Sequence, residues 1–222
     1  MCIILTKDNK HKNRKRIFLE KLDRDFYRVP ALELARAILG FYLVHITEHG
    51  KLVGRIVETE AYMGENDKAA HSYNNKRTKR TEVMFGPPGH AYVYLIYGMY
   101  HCFNIVAAET NIAQAVLVRA IEPLEGLNIM TKLRYKKPSH ECTKRELLNL
   151  TNGPGKLCRA MNINIKNNGQ DLCGNKLYLL KANAPPKNDI ITTSRINIDY
   201  AEEAVNYPYR FYIKSNPYVS VR

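Results

Sequence analysis

Apolar and polar positions follow two periods along this chain. Between Pro30 and Gly40 the apolar residues Leu34, Ala35, Ile38 and Leu39 recur at helical spacing on one face. Pro30 suits a first turn and Gly40 a stop, so a helix is predicted there. Phe41–His45 and Lys51–Thr59 read as strands joined by the turn Thr47-Glu48-His49-Gly50, a hairpin. From Gly64 to Arg80 the pattern becomes polar, which predicts a loop with a short helix near Lys68–Ser72. Gly86-Pro87-Pro88-Gly89 breaks the chain. Tyr92–Ile96 and His101–Val106 then form two strands around a tight reversal at Gly98, a protruding hairpin. Ala115–Ala120 reads as a buried strand. Glu122-Pro123-Leu124-Glu125-Gly126 is expected to cap a helix reaching Leu133. Further helices are expected at Lys144–Leu150 and Lys156–Met161, the second behind the loop Thr151–Gly155. Short strands are expected near Leu177–Leu180, Arg195–Ile198 and Arg210–Ile213. The sum is an α+β fold, one compact domain over residues 17–222. It should hold a curved, mostly antiparallel sheet with surrounding helices. Residues 1–16 lack apolar periodicity and are expected to form a flexible basic arm.

Charge changes the picture more than composition does. Thirty-four Lys and Arg stand against twenty-one Asp and Glu, a net charge of +13 in 222 residues. Such an excess favours a polyanionic partner, above all nucleic acid. The cluster Lys10, His11, Lys12, Arg14, Lys15 and Arg16 adds either non-specific DNA affinity or a solvated tail. Five scattered cysteines without a CxxC read as reduced intracellular thiols. No apolar run approaches the ~18 residues of a membrane span, and Met-Cys-Ile-Ile-Leu-Thr-Lys is too short and polar for a secretory signal. The expected location is intracellular, with the DNA: bacterial cytoplasm or nucleoid, or the nucleus in a eukaryote.

The chemistry concentrates in two stretches. Glu58 and Glu60 lie two apart on a predicted strand and so share a face, with Tyr62 following on the same side. Such a pair is an acid/base couple, a metal site or a solvent-facing stripe. His71 lies on a polar loop with no partner at ligand spacing, and His45 and His49 read as surface residues, so no metal is expected. The second stretch places Tyr92, Tyr94, Tyr97 and Tyr100 within nine positions. In a strand Tyr94 can line a pocket while Tyr97, beside Gly98, stands at a hairpin tip. There it is placed either to wedge into a base stack or merely to pack a sheet.

The run Arg55-Ile-Val-Glu-Thr-Glu-Ala-Tyr62, with Ala69-Ala-His-Ser72, Met84-Phe85, Tyr92-Val-Tyr94, Ile96-Tyr-Gly-Met-Tyr100, Asn104, Arg119-Ala120 and Glu122-Pro-Leu-Glu-Gly126, resembles the alkyladenine (3-methyladenine) DNA glycosylase family. Gly153-Pro154, Lys156-Leu-Cys158 and Arg210-Phe-Tyr212 extend the resemblance towards the C-terminus. It implies that Glu60 activates a water and Arg119 positions it. Tyr62, His71 and Tyr94 would sandwich an everted base, and Ile196 and Asn104 would complete the pocket, Asn104 disfavouring guanine. Tyr97 would fill the gap in the duplex, while Lys156, Gly153, Met99 and Tyr100 would meet the DNA backbone. Asn197 departs from the family, which has a glycine there, and Lys181–Asn206 matches poorly.

The resemblance implies a monofunctional DNA N-glycosylase without lyase activity. It would act as a monomer on duplex DNA carrying damaged purines, with water as nucleophile, no cofactor and no membrane partner. Two other classes stay open on the residues alone. A non-catalytic nucleic-acid-binding module needs no buried Glu60. A metal-dependent hydrolase built on Glu58, Glu60 and His71 would fail in EDTA.

Overall fold

The long strand Gly50–Tyr62 (β4) is the axis of the molecule. In this computed structural model residues 2–7 and 14–221 are described, with side chains from residue 19 onward. Two backbone segments, Cys2–Lys7 (β1) and Arg14–Leu19 (β2), pair antiparallel as a separate ribbon. Residues 8–13, which hold much of the basic cluster of the expected arm, lie outside the described residues.

Every pairing in the main sheet is antiparallel. Tyr42–Thr47 (β3) joins β4 through the predicted hairpin. Ala91–Ile96 (β5), Tyr100–Ala107 (β6) and Gln114–Glu125 (β7) follow in series, and β7 lies along β4. Leu177–Leu180 (β8) flanks β3, and Ile190–Thr193 (β9) flanks Arg210–Ile213 (β10), which pairs with β4 at Glu58–Glu60. The sheet order is β5-β6-β7-β4-β10-β9, with β3 and β8 branching from the first half of β4. Register shifts between β4 and β7 occur on both sides of Glu58. Bulges there bend the sheet and re-aim side chains, which produces the expected curvature.

Helix Ala31–Ala37 (α1) follows Pro30, and its Ala31, Leu34 and Ala35 are fully buried. It lies against the face of β4 opposite the carboxylates, where the Thr59 hydroxyl donates to the Ala35 carbonyl at 2.8 Å. Leu127–Tyr135 (α2), Lys144–Leu148 (α3) and Pro154–Ala160 (α4) follow β7. A capping box between Thr143 and Glu146 opens α3. Both faces of β4 are therefore covered, and residues 56–61 are completely buried. Gly89 shows why a turn residue is fixed: its φ is +72°, and a Cβ there would lie 2.6 Å from the Tyr27 ring.

The architecture is the α+β domain with a curved antiparallel sheet and a protruding hairpin. Four local expectations are corrected. The helix expected to be capped at Glu122–Gly126 starts at Leu127, because β7 continues to Glu125 on its ladder with β4. Arg195–Ile198 is no strand; β9 lies earlier, and residues 195–198 turn inward to reach the site. The short helix near Lys68–Ser72 gives way to 3-10 turns at Gly64–Asn66 and Tyr73–Asn75. His45 is buried rather than on the surface, its Nδ1 2.8 Å from the Met161 carbonyl, because β8 and the end of α4 cover β3.

Candidate active site

Glu58 and Glu60 do share a face, and it is not the solvated one: both carboxylates have zero exposure. Arg119, reaching across from β7, joins them. Its Nε lies 3.0 Å from Glu58 Oε1 and its Nη1 3.2 Å from Glu60 Oε1. Burial alone would lower the Arg119 pKa, but Glu60 and Glu58 outweigh it and the net shift is upward. Glu60 Oε1 also accepts from the Ile196 backbone N–H at 2.8 Å, and Oε2 accepts from the Tyr62 hydroxyl at 2.9 Å. A carboxylate offers about four lone-pair sites. Oε1 holds the Ile196 N–H and faces the Arg119 charge, and Tyr62 alone donates to Oε2, which keeps an acceptor direction open. Tyr62 keeps its proton, since burial and then the Glu60 charge raise its pKa well above the ordinary phenol value.

Glu58 has a different environment. It receives Arg119 Nε, Arg210 Nε at 2.8 Å, and the Ser220 hydroxyl and N–H at 2.8 and 2.7 Å. Arg210 also donates to the Val221 carbonyl, which seats the C-terminal segment over the pair. Glu58 thus takes four hydrogen bonds, three of them on Oε1, from β10, β7 and the C-terminal segment, whereas Glu60 takes two, both from residues that line the cavity described next. The two carboxylates and two guanidiniums balance, as burial demands.

Tyr62, Arg119 and Ile196, the residues that hold Glu60, face a cavity of about 970 Å³. Tyr62, His71, Tyr92, Tyr94, Asn104 and Ile196 all line it. The His71 and Tyr94 rings meet edge to face at 4.6 Å and form one wall. His71 Nδ1 lies 2.9 Å from the Tyr92 hydroxyl, and its pKa is lowered to about 4 by burial and then by the charge of Arg80. His71 is therefore neutral at physiological pH. Asn104 is buried, and its side-chain amide donates to the Tyr92 carbonyl at 3.1 Å. Ile196 enters from the 195–198 segment, where Asn197 holds a left-handed φ of 59°. Asparagine tolerates that region better than most residues.

Tyr97 and Gly98 both have positive φ at the tip of the β5–β6 hairpin, and Tyr97 is 74% exposed. Met99 (68%) and Tyr100 (40%) continue this exposed apolar ridge. Gly153, Gly155, Lys156 and Arg134 line the same cavity from the side of α2 and α4. Gly155 packs so closely on Tyr100 that an added Cβ would come within 3.0 Å of its side chain. Lys156 donates to Asn152 at 2.8 Å, and burial followed by the Arg134 charge lowers its pKa.

The matched family model is that of the methylpurine-DNA glycosylases, and it covers residues 25–217. The chain belongs to the methylpurine-DNA glycosylase family. Among relatives, each provisionally named a 3-methyladenine DNA glycosylase, one from Alkaliphilus oremlandii is 58% identical over 200 residues, 90% of this chain and 98% of its own length. One from Desulfitobacterium hafniense is 52% identical over 92% of this chain and all of its own. A third, from Bacillus cytotoxicus, is 55% identical over 88% and 97%. Membership makes this a DNA N-glycosylase, an enzyme of DNA repair.

The family resemblance named Glu60, Arg119, Tyr62, His71, Tyr94, Asn104 and Ile196; the fold brings the last six to one cavity, and Glu60 lies behind its wall, bound to Tyr62, Ile196 and Arg119. Sequence reasoning left the supporting groups without roles. Asp67 and Arg195 form a buried bidentate pair at 2.5 and 2.8 Å that anchors the chain beside Ile196. Arg210 and Ser220 hold Glu58, and Arg80 lies against His71. Asp67, Arg195 and Arg210 stand in recognisable segments, but only pairing across more than a hundred positions reveals their partners. Among the described residues no three His, Cys, Asp or Glu side chains converge as a metal-ligand set.

Proposed function

We propose that this glycosylase everts alkylated or deaminated purines from duplex DNA, the 3-methyladenine, 7-methylguanine, hypoxanthine and ethenoadenine class. It hydrolyses them with water and leaves the strand uncut. The observation that carries the reading is Glu60: a buried carboxylate held by two hydrogen bonds and the Arg119 ion pair, whose partners Tyr62, Ile196 and Arg119 all line an aromatic-walled cavity, with an acceptor direction open on Oε2. Breaking the bond between C1′ and the base develops positive charge on the sugar. A fixed carboxylate stabilises that charge and takes a proton from the attacking water. The free direction on Oε2 is where such a water would sit. Tyr62, His71 and Tyr94 offer π faces to a cationic alkylated base, each worth about 0.5–2 kcal/mol. A neutral His71 preserves that attraction, whereas a protonated one would repel the cation. Asn104, pinned to the Tyr92 carbonyl, gives a rigid wall against a guanine exocyclic amine.

Water rather than an amine is the nucleophile in this reading. Lys68 is held by Glu202 and Glu203 at 2.6 and 2.9 Å, and its pKa is raised by them. Lys156 donates to Asn152 on the other side of the cavity. The test is excision from duplexes carrying 7-methylguanine, hypoxanthine or ethenoadenine, in EDTA, with strand breakage scored before and after alkali. Base release with breakage only after alkali is expected. A borohydride-trapped enzyme–DNA adduct would replace water with a lysine, and loss of activity in EDTA would favour a metal mechanism.

The exposed Tyr97 ridge supports a wedge that fills the vacated stack. Tyr97→Ala should weaken eversion by roughly tenfold, because unstacking costs a few kcal/mol. The fluorescence rise of a 2-aminopurine beside the lesion reads this directly, and an unchanged signal would remove Tyr97 from that role.

A further inference from the structure

Arg80 is a cation of the base cavity that the chemistry above does not use. Its Nη2 lies 3.3 Å from His71 Nε2, and its Cζ lies 4.7 Å from the centre of the Tyr94 ring. A guanidinium only donates, so His71 Nε2 is the acceptor and Nδ1–H points to the Tyr92 hydroxyl. Arg119 and Arg195 both pair with carboxylates, but among the described residues no carboxylate lies within ion-pair distance of Arg80. A positive charge with no carboxylate partner, on an exposed side chain, therefore stands against two of the rings that line the cavity.

The two chemical kinds of damaged purine respond to such a charge in opposite ways. A 7-methylguanine ring is already cationic, and the electron pair of its C1′–N9 bond neutralises it as the bond breaks. A hypoxanthine ring is neutral and leaves with that pair as an anion. In both, the water oxygen bonds to C1′ and one water proton passes to Glu60. With hypoxanthine that proton returns through solvent to the departed anion, so charge balances. A fixed cation beside the ring stabilises the anion and opposes the cationic base.

We propose that the Arg80 guanidinium stabilises the departing ring of a neutral damaged purine and biases the cavity towards such lesions. This rests on the glycosylase reading above. Single-turnover excision of hypoxanthine and of 7-methylguanine from matched duplexes, by the full chain and its Arg80→Ala and Arg80→Lys variants, tests it. The ratio of the hypoxanthine rate to the 7-methylguanine rate should fall about tenfold or more in Arg80→Ala and recover in part in Arg80→Lys, which keeps the charge. An unchanged ratio, with both rates lowered together, would reduce Arg80 to a phosphate contact. A lysine variant no better than alanine would also overturn the proposal, as would a wild-type chain that removes 7-methylguanine but not hypoxanthine. A wild-type chain that releases neither base would fail the glycosylase reading itself.

Discussion

Glu60→Gln should lower single-turnover excision about a thousandfold while leaving binding to lesion-containing duplex within a few-fold of wild type. The substitution is close to isosteric, and the surroundings accept it. The amide oxygen can keep the Ile196 N–H and Arg119, while the amide nitrogen turns to the Tyr62 hydroxyl, which can accept as well as donate. Arg119 still has Glu58 at 3.0 Å, so its charge stays compensated. What disappears is the negative charge beneath the sugar and the open lone pair that could take a proton. The fold therefore persists and the chemistry fails. Excision rates at saturating enzyme, with binding measured separately by gel shift, separate the two effects. Undiminished excision would remove Glu60 from the mechanism.

Asp67→Ala carries the largest expected stability loss. Asp67 and Arg195 are 1% and 0% exposed, and their contact is bidentate. Asp67 also accepts from the backbone N–H groups of Met63 and Ala69. Removing it leaves a buried guanidinium unpaired and two N–H groups without an acceptor, a cost of about 3–5 kcal/mol. For a chain of this size that lowers Tm by roughly 6–20 °C. The damage should also reach catalysis. Arg195 lies 4.9 Å from the Tyr62 ring and precedes Ile196, whose N–H holds Glu60. Replacing both partners, Asp67→Ala with Arg195→Met, should recover part of the stability, because the apolar side chain leaves no charge behind. Thermal and denaturant unfolding of the three variants checks this. A loss below 1 kcal/mol for Asp67→Ala would show that the pair does not anchor the segment.

The elements legible in the sequence were those whose local pattern agrees with their final surroundings. The β3–β4 turn and the tight reversal at Gly98 carry their own backbone chemistry. The helix behind Pro30 shows its apolar face at helical spacing. The misread elements were those where a long-range partner prevailed. Glu122–Glu125 has the polar, proline-containing look of a helix start, yet its ladder with β4 keeps it in the sheet. His45 looks like a surface residue until the Met161 carbonyl covers it.

The same division runs through the site. The sequence by itself determined the family, the aromatic inventory and the two carboxylates on one face of a strand, because period-two geometry and ordered motifs are local properties. Only the tertiary structure decided which carboxylate is held by the cavity wall and which is spent on binding the C-terminal segment. That choice depends on donors at Arg119, Ile196, Arg210 and Ser220, between 61 and 162 positions away. Hydrogen bonds across such separations are fixed by the packing of the folded sheet, and no spacing along the chain encodes them.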